Sequence, residues 1–203
     1  MMSDKTQILN SLQSIANEYS FVAIIWHVVI LIFFALLFFR VVSSQRITGT
    51  LISLPLISVA VFAWISGNPF SGSVFAFLAV LVLIFGFRIP VIPLEPSRLP
   101  FLIIGILMVI FGLVYPHFLE NGSPVRYLVA APTGLVPCPT LSLVIGLALI
   151  FSGFHSQAMM LTLVVAGLFY GIFGAFRLGV TLDLFLLFGT GSLLFQYVLM
   201  LKK

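Results

Sequence analysis

"APTGLVPCPT" (131–140) is the stretch that decides the fold: three prolines, a glycine and the only cysteine of the chain fall within ten residues. Apolar sequence flanks it on both sides. A helix from 141 to 154 rises about 1.5 Å per residue and reaches roughly 21 Å. That is short of the ~30 Å of hydrocarbon in a bilayer. Extending the helix backwards meets Pro139 and Pro137 at once. Each proline lacks a backbone N–H and clashes with the carbonyl four residues earlier. The sequence therefore predicts a broken helix. It has a short apolar arm near 127–131, a non-helical "PTGLVPCP" with its break at Gly134–Pro139, and a helix from Thr140. Irregular backbone at membrane depth survives only when protein covers it or when it lines a wet cavity. The break is expected to face the bundle interior or an aqueous pocket.

Membrane depth follows from composition. Of 203 residues, 62% are hydrophobic and 7% are charged, against about 25% charged in a soluble domain. The mean hydropathy is +1.29. No soluble core of this length hides so much apolar surface, so the solvent is lipid. The 22 phenylalanines suit that solvent. The net charge of +4 comes from nine Lys and Arg spread over short loops, which orient a membrane protein rather than bind nucleic acid. One cysteine excludes an internal disulfide. The opening "MMSDKTQILNSLQSIANEYS" has no basic run leading into a short apolar stretch, so no cleaved signal peptide is expected.

Apolar runs at 21–39, 50–66, 70–87, 101–119, 158–176 and 182–201 read as spans. With the broken element 127–154 they make about seven. The turn "GNPFSG" (67–72) joins the second and third. "RIPVIPLEPSRLP" (88–100), with four prolines, is a stiff extended connection. Ile8, Leu12 and Ile15 lie at helical spacing, so residues 1–19 read as an interfacial amphipathic helix. Residues 20–203 form the bundle, and the whole is one transmembrane domain. An outside N-terminus puts Arg40, Arg46, Arg88, Arg98, Lys202 and Lys203 inside, against Lys5, Arg126 and Arg177 outside. That six-to-three split favours N-out and C-in, whereas a re-entrant arm that does not cross would give six spans and a five-to-four split.

Candidate chemistry gathers near the break. The residue before a proline is pushed out of the helical region, and proline suits the first helical position. Cys138 is thus expected to be extended and to be the N-cap of a helix starting at Pro139. A thiol there feels the positive helix end, while burial acts against its ionisation. Two readings stand: a soft-metal ligand or reactive thiol, and a small apolar residue at a kink. A Cys-Pro pair inside a membrane helix also occurs in heavy-metal pump ATPases, whose nucleotide and phosphorylation machinery this chain lacks. Tyr115, His117 and Glu120 end the fourth span near the level of the break. His117 is a candidate metal ligand or proton relay with Cys138, or an interfacial anchor beside Tyr115. A metal site wants three or four ligands, and Cys138 with His117 supplies two. Thr133 and Thr140 complete the candidate binding set.

His27 lies inside the first span, as a functional group or a helix contact. His155 falls in a turn expected to be solvated. Asp183 opens the last span, where a carboxylate complements the helix dipole with Arg177 nearby or serves as a coupling-ion group. Gly167, Gly171 and Gly174 share one face of the sixth span, and Ser142, Gly146 and Gly153 share one on the helix after the break. Small residues let membrane helices approach closely, so those two helices are expected to touch and cover the break. There is no Walker loop, Gly-x-Ser-x-Gly, His-Glu-x-x-His or paired intramembrane carboxylate, and no Lys or Arg cluster for anionic head groups. No motif asks for a cofactor.

"YPHFLENGSPVRYLVAAPTGLVPCPTLSLVIGLALI" resembles the hallmark of a bacterial integral-membrane family of unknown function. Members carry Tyr-Pro, a gap, and a Gly-x-x-Pro-Cys-Pro-Thr run. Here these are Tyr115, Pro116, Gly134, Pro137, Cys138, Pro139 and Thr140. "GNPF" (67–70) is similar to an Asn-Pro turn of the same family. Family members often have Trp-Pro in the first span, where this chain has Trp26-His27. The resemblance implies a polytopic protein of a bacterial inner membrane and transfers no substrate or catalytic residue.

The reading is an all-α integral membrane bundle; a membrane enzyme or thiol redox protein is the least favoured reading, since the one cysteine has no resolving partner. The bundle is a small transporter or channel-like protein with a binding region around Cys138, taking a soft-metal ion or a small molecule. The alternative is a structural or assembly subunit held by a membrane-protein partner or a second copy. The bilayer itself is the one partner that composition demands.

Overall fold

The computed structural model describes residues 5–120 and 124–202. Methionine 1 to aspartate 4 of the expected interfacial helix, and Lys203 of the charge count, lie outside the described residues. Among the described residues there are helices and turns and no strands. The helices are α1 (Lys5–Glu18), α2 (Ser20–Phe38), α3 (Gln45–Leu51), α4 (Ser53–Ile65) and α5 (Pro69–Arg88). They continue as α6 (Leu99–Val114), α7 (Pro124–Ala130), α8 (Pro137–Ile150), α9 (Gln157–Ile172) and α10 (Asp183–Leu201). A π-helical turn, Phe173–Arg177, extends α9.

Among the described residues five helices are long and apolar enough to cross a membrane: α2, the joined α3–α4 (Gln45–Ile65), α5, α9 with its π turn (Gln157–Arg177), and α10. The other two expected spans are shorter. α6 has 16 residues and α8 has 14, so they reach about 24 and 21 Å. The expected span 101–119 stops at Val114 because Pro116 disfavours a helical conformation at Tyr115, whose ψ is 104°.

α8 is the hub. All its residues except Cys138 are buried. α6, α9 and α10 pack around it, and glycine sets the closest approaches. A Cβ on Gly146 would come within 2.7 Å of the Gly105 carbonyl oxygen, and one on Gly112 within 2.7 Å of the Pro139 carbonyl oxygen. Ser142 Oγ donates to Met108 O at 3.0 Å. The small face of α8 therefore lies on α6, not on α9 as expected. The glycine face of α9 lies mainly on α10: Gly167 meets Thr190 as well as Ile145 of α8, Gly171 meets Leu187, and Gly174 meets Asp183. The two small-residue faces do not meet each other, although α8 and α9 do touch at Ile145. Gly153 is not on α8 at all. Its φ is +60°, within the turn Ser152–His155, where Ser152, Phe154 and His155 are also left-handed. That turn reverses the chain from α8 into α9.

α2 is the outer helix, burying only Ala23, His27 and Ile30. His27 is a helix contact: one ring nitrogen faces Ala23 O at 2.8 Å, and the other faces Leu113 O at 2.7 Å near the end of α6. α1 lies across the end where α6 stops. Leu12, Ile15 and Ala16 are buried there. Asn17 donates to Phe118 O at 2.9 Å and accepts from Glu120 N at 3.0 Å.

Candidate functional site

The break is real but shifted. Residues 131–136 are non-helical and all buried. The Pro-Cys-Pro segment itself is the first turn of α8: the N-cap is Val136, with φ −114° and ψ 142°, and Pro137 is the first helical residue. Cys138 is thus helical, neither extended nor the N-cap, and the helix begins three residues before Thr140. The reason lies in helix ends. The first N–H groups of a helix have no intrahelical acceptor, so prolines at 137 and 139 forfeit nothing there. The carbonyls four residues back are not helical, so no clash arises.

Two of the polar groups expected to build the site, Thr133 and Thr140, close this break. Thr140 Oγ1 accepts from Gly134 N at 2.8 Å and donates to Val136 O at 2.7 Å. Thr133 Oγ1 donates to Gly112 O at 2.5 Å. Val136 N reaches Pro132 O at 2.9 Å. Gly134 has φ +79°, and a Cβ there would run into the Trp26 ring, so glycine is needed for conformation and space. Backbone groups that cannot meet water thereby find partners inside the protein.

Beside the break stands a group that dipole reasoning treated as ordinary. Asp183 is 2% exposed. Its Oδ1 accepts from the Tyr115 hydroxyl at 2.7 Å, and its Oδ2 accepts from Cys138 Sγ at 3.2 Å. Tyr115 is fully buried and Cys138 half-buried. Arg177, expected near Asp183, is exposed, and no ion pair to Asp183 exists among the described residues. Gly174, inside the π turn, abuts Oδ2. Three backbone irregularities thus converge on one carboxyl group: the end of α6 at Tyr115, the break before α8, and the π turn after α9. π-helical turns recur at functional sites.

His117 is not part of this cluster by hydrogen bond. Its ring lies edge-on to Phe118, 4.3 Å between centroids, and 6.4 Å from the Tyr115 ring. Burial lowers the pKa of His117 from its ordinary 6.5. Among the described residues no three His, Cys, Asp or Glu side chains stand close enough to hold a metal ion, so the Cys138–His117 pair gains no third ligand. The structure joins Tyr115, Cys138 and Asp183. Thr133 and Thr140 line the adjoining break, and Gly174 is the one expected packing glycine that touches the cluster. Asp183 was visible as a lone carboxylate in a span, but nothing in its local sequence reveals neighbours 45 and 68 positions away.

No family model matches the chain, and no characterised protein or solved structure matches it either.

Proposed function

We propose that this chain is a polytopic membrane protein that crosses the bilayer seven times, using α6 and α8 as its short central crossings, with Asp183 as a proton-carrying carboxyl group. In this reading it is a small transporter or channel-like protein, and its binding region is the cluster of Asp183, Cys138 and Tyr115 beside the broken helix. The observation that supports it is a buried carboxylate held only by uncharged donors, where three helices lose their regular backbone. Ionisable groups inside membrane helices mark ion pathways and proton relays. Tyr115 and Cys138 stabilise the charged carboxylate by hydrogen bonding, and protonation of one Asp183 oxygen replaces one of those bonds. In this reading the C-terminal end of the bundle lies inside, which the split of basic residues supports, and the membrane is a bacterial cytoplasmic one, which the resemblance of the segment around Cys138 supports.

The protein reconstituted in vesicles with a trapped pH indicator tests this. A potassium diffusion potential drives proton entry in the wild type. Asp183→Asn abolishes the flux and Tyr115→Phe reduces it, with thermal unfolding in detergent checking that both variants fold. A wild type that carries no protons overturns the reading. The close packing of the break favours a second reading, a structural or assembly subunit in which Tyr115, Cys138 and Asp183 form a rigid joint. Absent flux together with loss of stability in Asp183→Asn is the outcome that reading expects.

A further inference from the structure

The bond between Tyr115 and Asp183 joins two segments of the chain, 115–120 after α6 and 178–183 leading into α10. α1 lies across both. At its C-terminal end, Asn17 Nδ2 donates to Phe118 O at 2.9 Å, and Asn17 Oδ1 accepts from Glu120 N at 3.0 Å. One turn earlier, Gln13 Nε2 donates to Glu120 Oε1 at 3.0 Å. At its N-terminal end, a Cβ on Gly179 would stand 2.8 Å from Lys5 Nζ, so Lys5 rests on the segment that leads to Asp183. Between these ends, Leu12, Ile15 and Ala16 are buried in one apolar cluster with Tyr115, Leu178 and Val180. α1 therefore closes this end of the bundle over a carboxyl group that is 2% exposed.

The cover is built to move. α1 meets α2 at the single residue Tyr19, whose φ of −103° and ψ of 24° fall in the bridge region rather than the helical one. The Tyr19 ring packs on Phe62 with 4.8 Å between centroids, which fixes the joint about which α1 turns. The latch at the far side consists of side-chain hydrogen bonds at exposed or half-buried positions, each of modest net strength. The apolar face that α1 buries is small, and lipid offers it a second home. An amphipathic helix released from the bundle lies in the bilayer interface with its apolar residues at the acyl boundary.

We propose that α1 is a gate over Asp183. Latched, it seals the carboxyl group from water at this end of the bundle. Released at Asn17, it swings about Tyr19 onto the bilayer surface and admits water to Tyr115 and Asp183. The gate rests on the reading of Asp183 as a proton-carrying group, since excluding water is what stops a proton from leaking. Asn17 is the residue that holds it, because its amide both donates to and accepts from the segment that carries Tyr115.

Cys138, the one thiol of the chain, reports the gate, because its Sγ donates to Asp183 Oδ2. The full chain in lipid nanodiscs is treated with a cationic methanethiosulfonate, and labelling of Cys138 is followed by mass. The wild type labels slowly. Asn17→Ala labels about tenfold faster or more, the population shift expected when two hydrogen bonds of ordinary strength are lost. A second protein leaves Asn17 in place: Gln13→Cys with Glu120→Cys, either joined by a short bis-methanethiosulfonate or capped separately by methyl methanethiosulfonate. Cys138 labels several times more slowly in the joined form than in the capped one. Equal labelling of wild type and folded Asn17→Ala, or of the joined and capped forms, overturns the gate. Proton flux in vesicles is read separately and is slower in the joined form. Labelling that responds to the latch in a protein that carries no protons overturns the proton reading of Asp183 and keeps α1 as the gate of the cluster.

Discussion

The Tyr115 hydroxyl donates to Asp183 Oδ1 at 2.7 Å, tying the residue that ends α6 to the residue that begins α10 across 68 positions of sequence. Both groups are buried, so neither finds water if the bond is lost. Tyr115→Phe is expected to cost about 1–3 kcal/mol of stability, the range for a buried polar atom deprived of its partner. Asp183→Asn with Tyr115→Phe should cost less than the sum of the two, because the second change removes a group already orphaned. Thermal unfolding of the four proteins in detergent measures the coupling, and strict additivity would refute it.

Gly174 holds the π turn against the carboxylate. A Cβ there would overlap Asp183 Oδ2. Gly174→Ala should therefore destabilise by roughly 1–3 kcal/mol, as overpacking does. Asp183→Ala should recover part of that loss in the double variant, since the obstacle is then gone. A Gly174→Ala protein with wild-type melting behaviour contradicts the contact.

Thr140 closes the break through both its donor and its acceptor function. Thr140→Val keeps the shape and strands the Gly134 N–H, at a cost of about 1–3 kcal/mol. Thr140→Ser keeps the hydroxyl and should lie much closer to wild type. Equal loss in the two variants would show that the methyl group, not the hydrogen bonds, matters.

Gly146 and Gly105 let α8 and α6 approach through backbone atoms, 2.7 Å from each would-be Cβ to the facing carbonyl oxygen. Backbone cannot swing aside as a side chain does. Gly146→Leu should abolish stable folding, read as loss of the monodisperse peak in size-exclusion chromatography. At Gly191, which meets nothing within 4 Å, the same substitution should leave that peak unchanged.

His117 supplies a pH dependence. Burial lowers its pKa below the ordinary 6.5, so below that value the unfolded chain binds the proton more readily than the folded one. Stability is therefore lost as pH falls below 6.5 towards the lower pKa of the folded state, and the group has no effect well above 6.5. His117→Phe should flatten that part of the stability profile, and an unchanged slope would count against the assignment.

Much of this molecule is legible along the chain. Five of the six long apolar runs emerge, among the described residues, as helices able to cross a membrane, because hydrocarbon length and hydropathy are local properties. The turn at Asn68 is equally local: its side chain accepts from Ser71 N at 3.0 Å, and Pro69 opens the helix. The break was foreseeable from the prolines, yet its register was not. Proline forbids a helix interior and welcomes a first turn, and only the buried contacts of Thr140, Thr133 and Trp26 choose between starting at Pro137 and starting at Pro139.

Composition and proline spacing by themselves determined that the chain is an apolar helical protein with one interrupted element before residue 140. The folded arrangement alone decided which face of α8 meets α6, that Asp183 lies between Tyr115 and Cys138, and that α1 lies across the segments carrying Tyr115 and Asp183. The physical reason is range. Helix formation and burial in hydrocarbon depend on neighbours within a few turns, whereas a shared carboxylate or a latch depends on how three helices pack, and that packing is set by the sum of many contacts between distant residues.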